Sequence, residues 1–149
     1  MKTGIIIAAL IVVLRVVLEQ AGVSDKANMI FGVAWLYFLL PVCFALRIAS
    51  SHEASPFKGL LLDVLLFGVY TRLMVMATYM IAFVLKWHSP RFTPQMGGNV
   101  GDNINFVNGF FLIPLRNAVI WVVMVTVIGM IIGGITLAIA RKSSQAASA

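Results

Sequence analysis

KGLLLDVLLFGVYTRLMVMATYMIAFVLK, residues 58–86, decides what kind of fold this chain has. Between its two terminal lysines only Asp63 and Arg72 are charged. As a helix rising about 1.5 Å per residue, the stretch is long enough to cross the roughly 30 Å hydrocarbon core of a bilayer. A soluble core helix of that length would show a polar face; this one shows none.

Three further runs read the same way. Residues 3–21 (TGIIIAALIVVLRVVLEQA) are apolar apart from Arg15 and Glu19. Residues 28–49 hold an uncharged block from Met29 to Leu46, with Pro41 inside it. A proline bends a membrane helix but is tolerated where neighbours satisfy the freed carbonyl. The last run, about 111–141, is longer than a crossing needs, so Pro114 and Arg116 are expected at the interface. The expectation is therefore all-α: an integral membrane four-helix bundle forming a single transmembrane domain over 1–149. A long loop at 87–110 joins helices 3 and 4, and a polar tail follows at 142–149.

Composition agrees. Of the 149 residues, 61% are hydrophobic and 11% charged, where a soluble domain carries about a quarter charged. The net charge is +6, but its cations are scattered at the ends of the apolar runs. That placement suits headgroups and topology rather than a nucleic-acid patch. With four crossings, Lys2, Arg47, Lys58, Arg141 and Lys142 share one side, against Lys26, Lys86 and Arg91 on the other. The positive-inside rule then puts both termini in the cytoplasm; the acids Asp25 and Asp102 fall on the far side. Lys2 ahead of an apolar block also suits a secretory signal peptide. However, Glu19-Gln20-Ala21 lacks a small-x-small cleavage site, so a retained helix is expected. The single Cys43 rules out an intrachain disulfide and reads as a small buried hydrophobe.

The residues that cost energy are the ionisable ones inside the runs. Arg15 and Glu19 are four apart and pair on one helix face. Arg116 lies close enough to a helix start to snorkel outward. Asp63, one turn into the third helix, sits where free amides and the helix dipole favour a carboxylate; the rival reading is a proton or cation site. Arg72 has neither escape. It lies about 20 Å along the helix from either end, and arginine keeps its proton. Asp63, nine residues away, falls on the wrong side of the helix. A partner is therefore expected from another helix, another chain, a ligand or a water-filled cavity. Gly68, Met76 and Tyr79 share the Arg72 face, and Tyr79 offers a hydroxyl.

The last run carries a second pattern. Thr126, Gly129, Gly133, Thr136 and Ala140 follow one another at steps of three and four, a seam of small residues that lets helices approach closely. It serves packing within the chain or against another subunit.

No catalytic group set is legible. There is no acid–base pair, no nucleophile beside a base and no phosphate loop. His52 and His88 flank helix ends on opposite sides and cannot share a metal. GDNINFVNG at 101–109 reads as Asn/Gly turns, because Ile104 and Val107 interrupt a calcium pattern. No cofactor, metal or enzymatic activity is expected. The expected role is a non-catalytic integral membrane subunit packed within a larger membrane complex. Its partners would be the lipid bilayer and other membrane subunits or further copies of the chain. The alternative is a small homo-oligomeric channel or transporter with an arginine-lined path for an anionic solute. A third reading is an enzyme acting on lipid headgroups through His88, Arg91 and Asp102.

Overall fold

The computed structural model describes residues 1–24, 28, 30–51 and 53–147, the last four without their side chains. Asp25, Lys26 and His52 lie outside the described residues. The described chain is helical, with no strand, and four of its helices are long and apolar enough to cross a membrane.

Helix α1 spans Lys2–Gln20. Helix α2 spans Leu36–Ser50 and is led in by a single 3-10 turn, Val33–Trp35. It starts later than residue 28 because Gly32 is extended, at φ −81 and ψ 140, and interrupts the helical backbone there. Helix α3 spans Pro56–Leu85, with Pro56 in its first turn, where a missing N–H costs nothing. It stops at Lys86, whose φ of 54° is left-handed, and the Trp87 amide donates to the Ala82 carbonyl. Helix α4 spans Ile113–Ala147 and follows a π-helical turn at Val107–Leu112. The helical segment thus begins earlier and ends later than 111–141. Asn105 starts it, its Oδ1 accepting the Asn108 amide at 2.9 Å.

Consecutive helices run antiparallel. Tyr37 meets Phe67 while Arg47 meets Asp63. Gly68 faces Val125, and Gly133 faces Leu60. The two chain termini therefore lie at one end of the bundle. The 21–32 and 86–106 connections lie at the other.

The core occupies the terminal half and the centre, where Tyr37, Phe44, Leu60, Val64, Phe67 and Leu137 are all buried. Helix α4 fits there because it has no side chain at two points. A β-carbon on Gly129 would lie 2.5 Å from Val64 Cγ1 and 3.2 Å from Pro41 Cγ. One on Gly133 would lie 3.0 Å from the Pro41 carbonyl oxygen. Pro41 is buried, so its ring is a wedge between α2 and α4. Cys43, expected inside, is exposed. In α2 the buried positions are Leu36, Tyr37, Pro41, Phe44, Ala45 and Ile48, and Cys43 falls on the opposite face.

The long connection has a core of its own. Phe92 is fully buried beside Ala82 and Val100, against Tyr79 and Trp87. Asn99, also fully buried, donates from Nδ2 to the carbonyls of Tyr79 and Gly109, both at 2.7 Å. One side chain thus pins the loop to α3 and to the π turn. Gly98 is there because any β-carbon would run into the Phe92 backbone.

Candidate functional site

Arg72 lies on the buried stripe of α3 that also carries Leu60, Val64, Phe67, Gly68 and Thr71. It is only 9% exposed. No carboxylate pairs with it among the described residues; the ion pairs are Arg15–Glu19, Arg47–Asp63 and Arg91–Glu19. Two aromatic rings take that place. The Arg72 guanidinium carbon lies 4.3 Å from the Trp121 ring centroid on α4 and 5.0 Å from that of Tyr37 on α2. The partner from outside its own helix is therefore a pair of π faces.

Magnitudes show what this leaves. A desolvated cation–π contact contributes about 2 kcal/mol. Moving an ion out of water costs several kcal/mol even after relaxation. Two rings offset much of that cost but carry no negative charge. Arg72 Nε is buried without an acceptor, and so is the Tyr37 hydroxyl.

Arg72 faces a cavity of about 330 Å³ in the loop half of the bundle. Arg15 of α1 and Arg91 of the loop line the same space, with Tyr79 between them. Val12, Val33, Val75 and Trp121 form its apolar walls. A smaller cavity, about 150 Å³, adjoins Arg72 and Tyr79 and reaches Asn117.

Among the described residues, Glu19 supplies the negative charge paired with this chamber's arginines. Its side chain is 3% exposed and accepts from Arg15 Nε at 3.1 Å. Its second oxygen forms an ion pair with Arg91 Nε at 2.8 Å. Arg91 also lies over the Phe92 ring, at 4.4 Å, and its carbonyl accepts the Tyr79 hydroxyl at 3.4 Å. Burial pulls the Arg91 pKa down; the Glu19 carboxylate raises it and Arg15 lowers it again. Among the described residues, three guanidinium charges against one carboxylate leave two positive charges uncompensated.

Other expected positions fall elsewhere. Asp63 is held by Arg47 Nη2 of α2 rather than by the α3 dipole alone. Arg116 is exposed on the first turn of α4. In the small-residue seam, Gly129 and Gly133 are buried within the chain. The stripe runs through Val125 and Leu137, while Thr126, Thr136 and Ala140 are half-buried. The threonine hydroxyls do not cross between helices; they donate back to Val122 and Ile132. His88 and Asp102 share a loop cavity of about 170 Å³ with Lys86, apart from Arg91. Among the described residues no group of three or more His, Cys, Asp or Glu is placed to hold a metal.

Sequence reading missed Arg91 as a chamber residue, together with Trp121 and Tyr37 as the ring partners. Arg91 reads as a loop cation, or as one of a headgroup trio with His88 and Asp102, until Phe92 is seen to anchor the loop beneath it. The ring pair has no spacing signal, because its members lie on different helices. No protein-family model, curated protein or solved structure matches the chain.

Proposed function

We propose that this chain is a non-catalytic integral membrane protein whose bundle holds an anionic group in the Arg15–Arg72–Arg91 chamber. Helices α1 to α4 cross the bilayer, with both termini on the cytoplasmic side and the loop on the other. The observation carrying this reading is the two-charge excess, among the described residues, around one cavity. Arg72 adds to it, being buried with only neutral rings beside it. An oxyanion there would meet planar donors suited to bidentate contact.

The packing favours a blind chamber over a path through the single chain. Between the chamber and the terminal end lie Tyr37, Phe44, Val64 and Phe67, all buried. A conducting path would then have to run between copies of the chain.

Linkage gives the test. A ligand that binds only the folded state raises stability as its concentration passes its Kd. In mild non-ionic detergent the unfolding midpoint is expected to rise with an oxyanion probe, soluble or amphiphilic. Arg72→Gln is expected to weaken the rise at least about tenfold in probe concentration. If no anionic probe of either kind moves the midpoint, the reading fails.

The accessory-subunit reading is second. It draws on α1, which packs inward through Gly4, Ala8 and Val12 while Ile6, Leu10, Val13 and Val17 are exposed. Such a face suits lipid or a neighbouring helix equally. Particle mass in detergent separates them: a stable complex with other chains supports the subunit role.

A further inference from the structure

We infer that the ligand of the chamber is an anionic amphiphile, an oxyanion headgroup carried on a hydrocarbon tail, rather than a free anion. This rests on the anion-chamber reading above and adds the ligand's second half.

The charge and the opening are differently made. Arg72 and Arg91 are largely withdrawn from the surface, with the Arg91 side chain 15% exposed. The most exposed lining residues are Ala34, Met96 and Trp121, all apolar or aromatic, while the Arg15 side chain is 28% exposed. Trp121 is 45% exposed and Met96 71%. Ala34 and Trp121 belong to segments apolar enough to lie in hydrocarbon.

A hydrated inorganic ion entering past Ala34 and Trp121 would cross apolar surface and lose water there, at a cost of several kcal/mol. An amphiphile does not face that sequence. Its tail already lies in hydrocarbon and gains contact with Val12, Val75 and Trp121. Its headgroup moves from one interface into another lined by guanidiniums. The Trp121 ring serves both parts, since its face meets Arg72 and the residue also reaches the surface. The cavity of about 330 Å³ has room for a phosphate-sized head and the first carbons of a chain. Phosphate, sulfate and carboxylate heads share the recognising chemistry.

The whole chain in dodecyl maltoside micelles provides the test. Dodecyl phosphate, inorganic phosphate and zwitterionic dodecylphosphocholine are each added, with unfolding followed by tryptophan fluorescence. Dodecyl phosphate alone is expected to raise the midpoint. Arg72→Gln is expected to weaken that response at least about tenfold in concentration. Ala34→Trp is the second variant: it alters an exposed position, leaves every charge in place and narrows the opening. It is expected to weaken dodecyl phosphate by a similar factor, about tenfold, while leaving the unliganded midpoint unchanged.

Inorganic phosphate as effective as dodecyl phosphate overturns the amphiphile and leaves the anion chamber standing. An equal response to dodecylphosphocholine overturns it as a general surfactant effect. An undiminished response in Ala34→Trp overturns the tail route. No response to either phosphate overturns both readings together.

Discussion

Glu19 has a role out of proportion to its place at the end of a helix. It is the shared counter-charge of Arg15 and Arg91, so it ties α1 to the long loop as well as balancing the chamber. The i, i+4 spacing from Arg15 made the first contact legible. The second depends on a loop residue 72 positions further on, by subtraction of Glu19 from Arg91, and no local pattern announces it. Arg72 divides the same way. Its depth and its need for an outside partner follow from counting residues along one helix. The answer, two rings on α2 and α4, needs the packing angles of three helices at once. Substituting Glu19→Gln separates its two roles. It removes the partner of two partly buried guanidiniums, which is expected to cost about 3 kcal/mol of stability. It also raises the excess charge of the chamber from two to three. The unliganded midpoint is therefore expected to fall while the response to an anionic ligand strengthens. Thermal unfolding with and without dodecyl phosphate reads both at once; a parallel loss of both would show that Glu19 only holds the fold.

Among the elements, apolar run length located all four helices, because in lipid the backbone has no other way to satisfy itself over such distances. Their ends were harder to read. Gly32 delays α2 through one extended backbone position that composition does not mark. The π turn at Val107–Leu112 starts the last helix inside what reads as an Asn/Gly loop. A β-carbon on Gly109 would strike the Phe83 ring, and Asn99 takes the Gly109 carbonyl. Both reasons lie outside the segment. The seam was legible at its centre and blurred at its edges. Gly129 and Gly133 are where α4 meets α2 and α3, but bulky Val125 and Leu137 continue the stripe. Burial depends there on the partner's shape, which residue size alone does not reveal. A paired substitution tests this. Gly129→Val drives side-chain atoms into Val64 and Pro41 and is expected to cost about 1–3 kcal/mol from overpacking. In Gly134→Val, on the same helix, the β-carbon would meet only Phe57, at 3.8 Å, so little effect is expected. Equal losses in the two, measured by thermal unfolding in detergent, would mean that the α4 seam does not pack as described.

The whole molecule has two unlike ends, and the bilayer orientation proposed above gives that difference meaning. At the terminal end the charges are exposed or paired near the surface: Arg47 holds Asp63, and Arg141 donates to the Glu53 carbonyl at 3.2 Å. At the loop end, Arg15 and Arg91 turn inward toward the cavity. Of the cations counted on the loop side, Arg91 is thus largely withdrawn from water. Arg47, Lys58 and Lys142 remain exposed at the terminal end. The positive-inside rule is the ground for the cytoplasmic termini proposed above. Single-cysteine labelling in intact cells tests this. Cys43 is exposed on the apolar face of α2, out of reach of a charged reagent, and is replaced by serine for clarity. Asp102→Cys, exposed on the loop, is expected to react with a membrane-impermeant maleimide added outside. Ser143→Cys, exposed near the end of α4, is expected to react only after the membrane is opened. The reverse pattern would put the chamber in the cytoplasmic half of the bilayer. The amphiphile drawn into it would then come from the inner leaflet instead of the outer one.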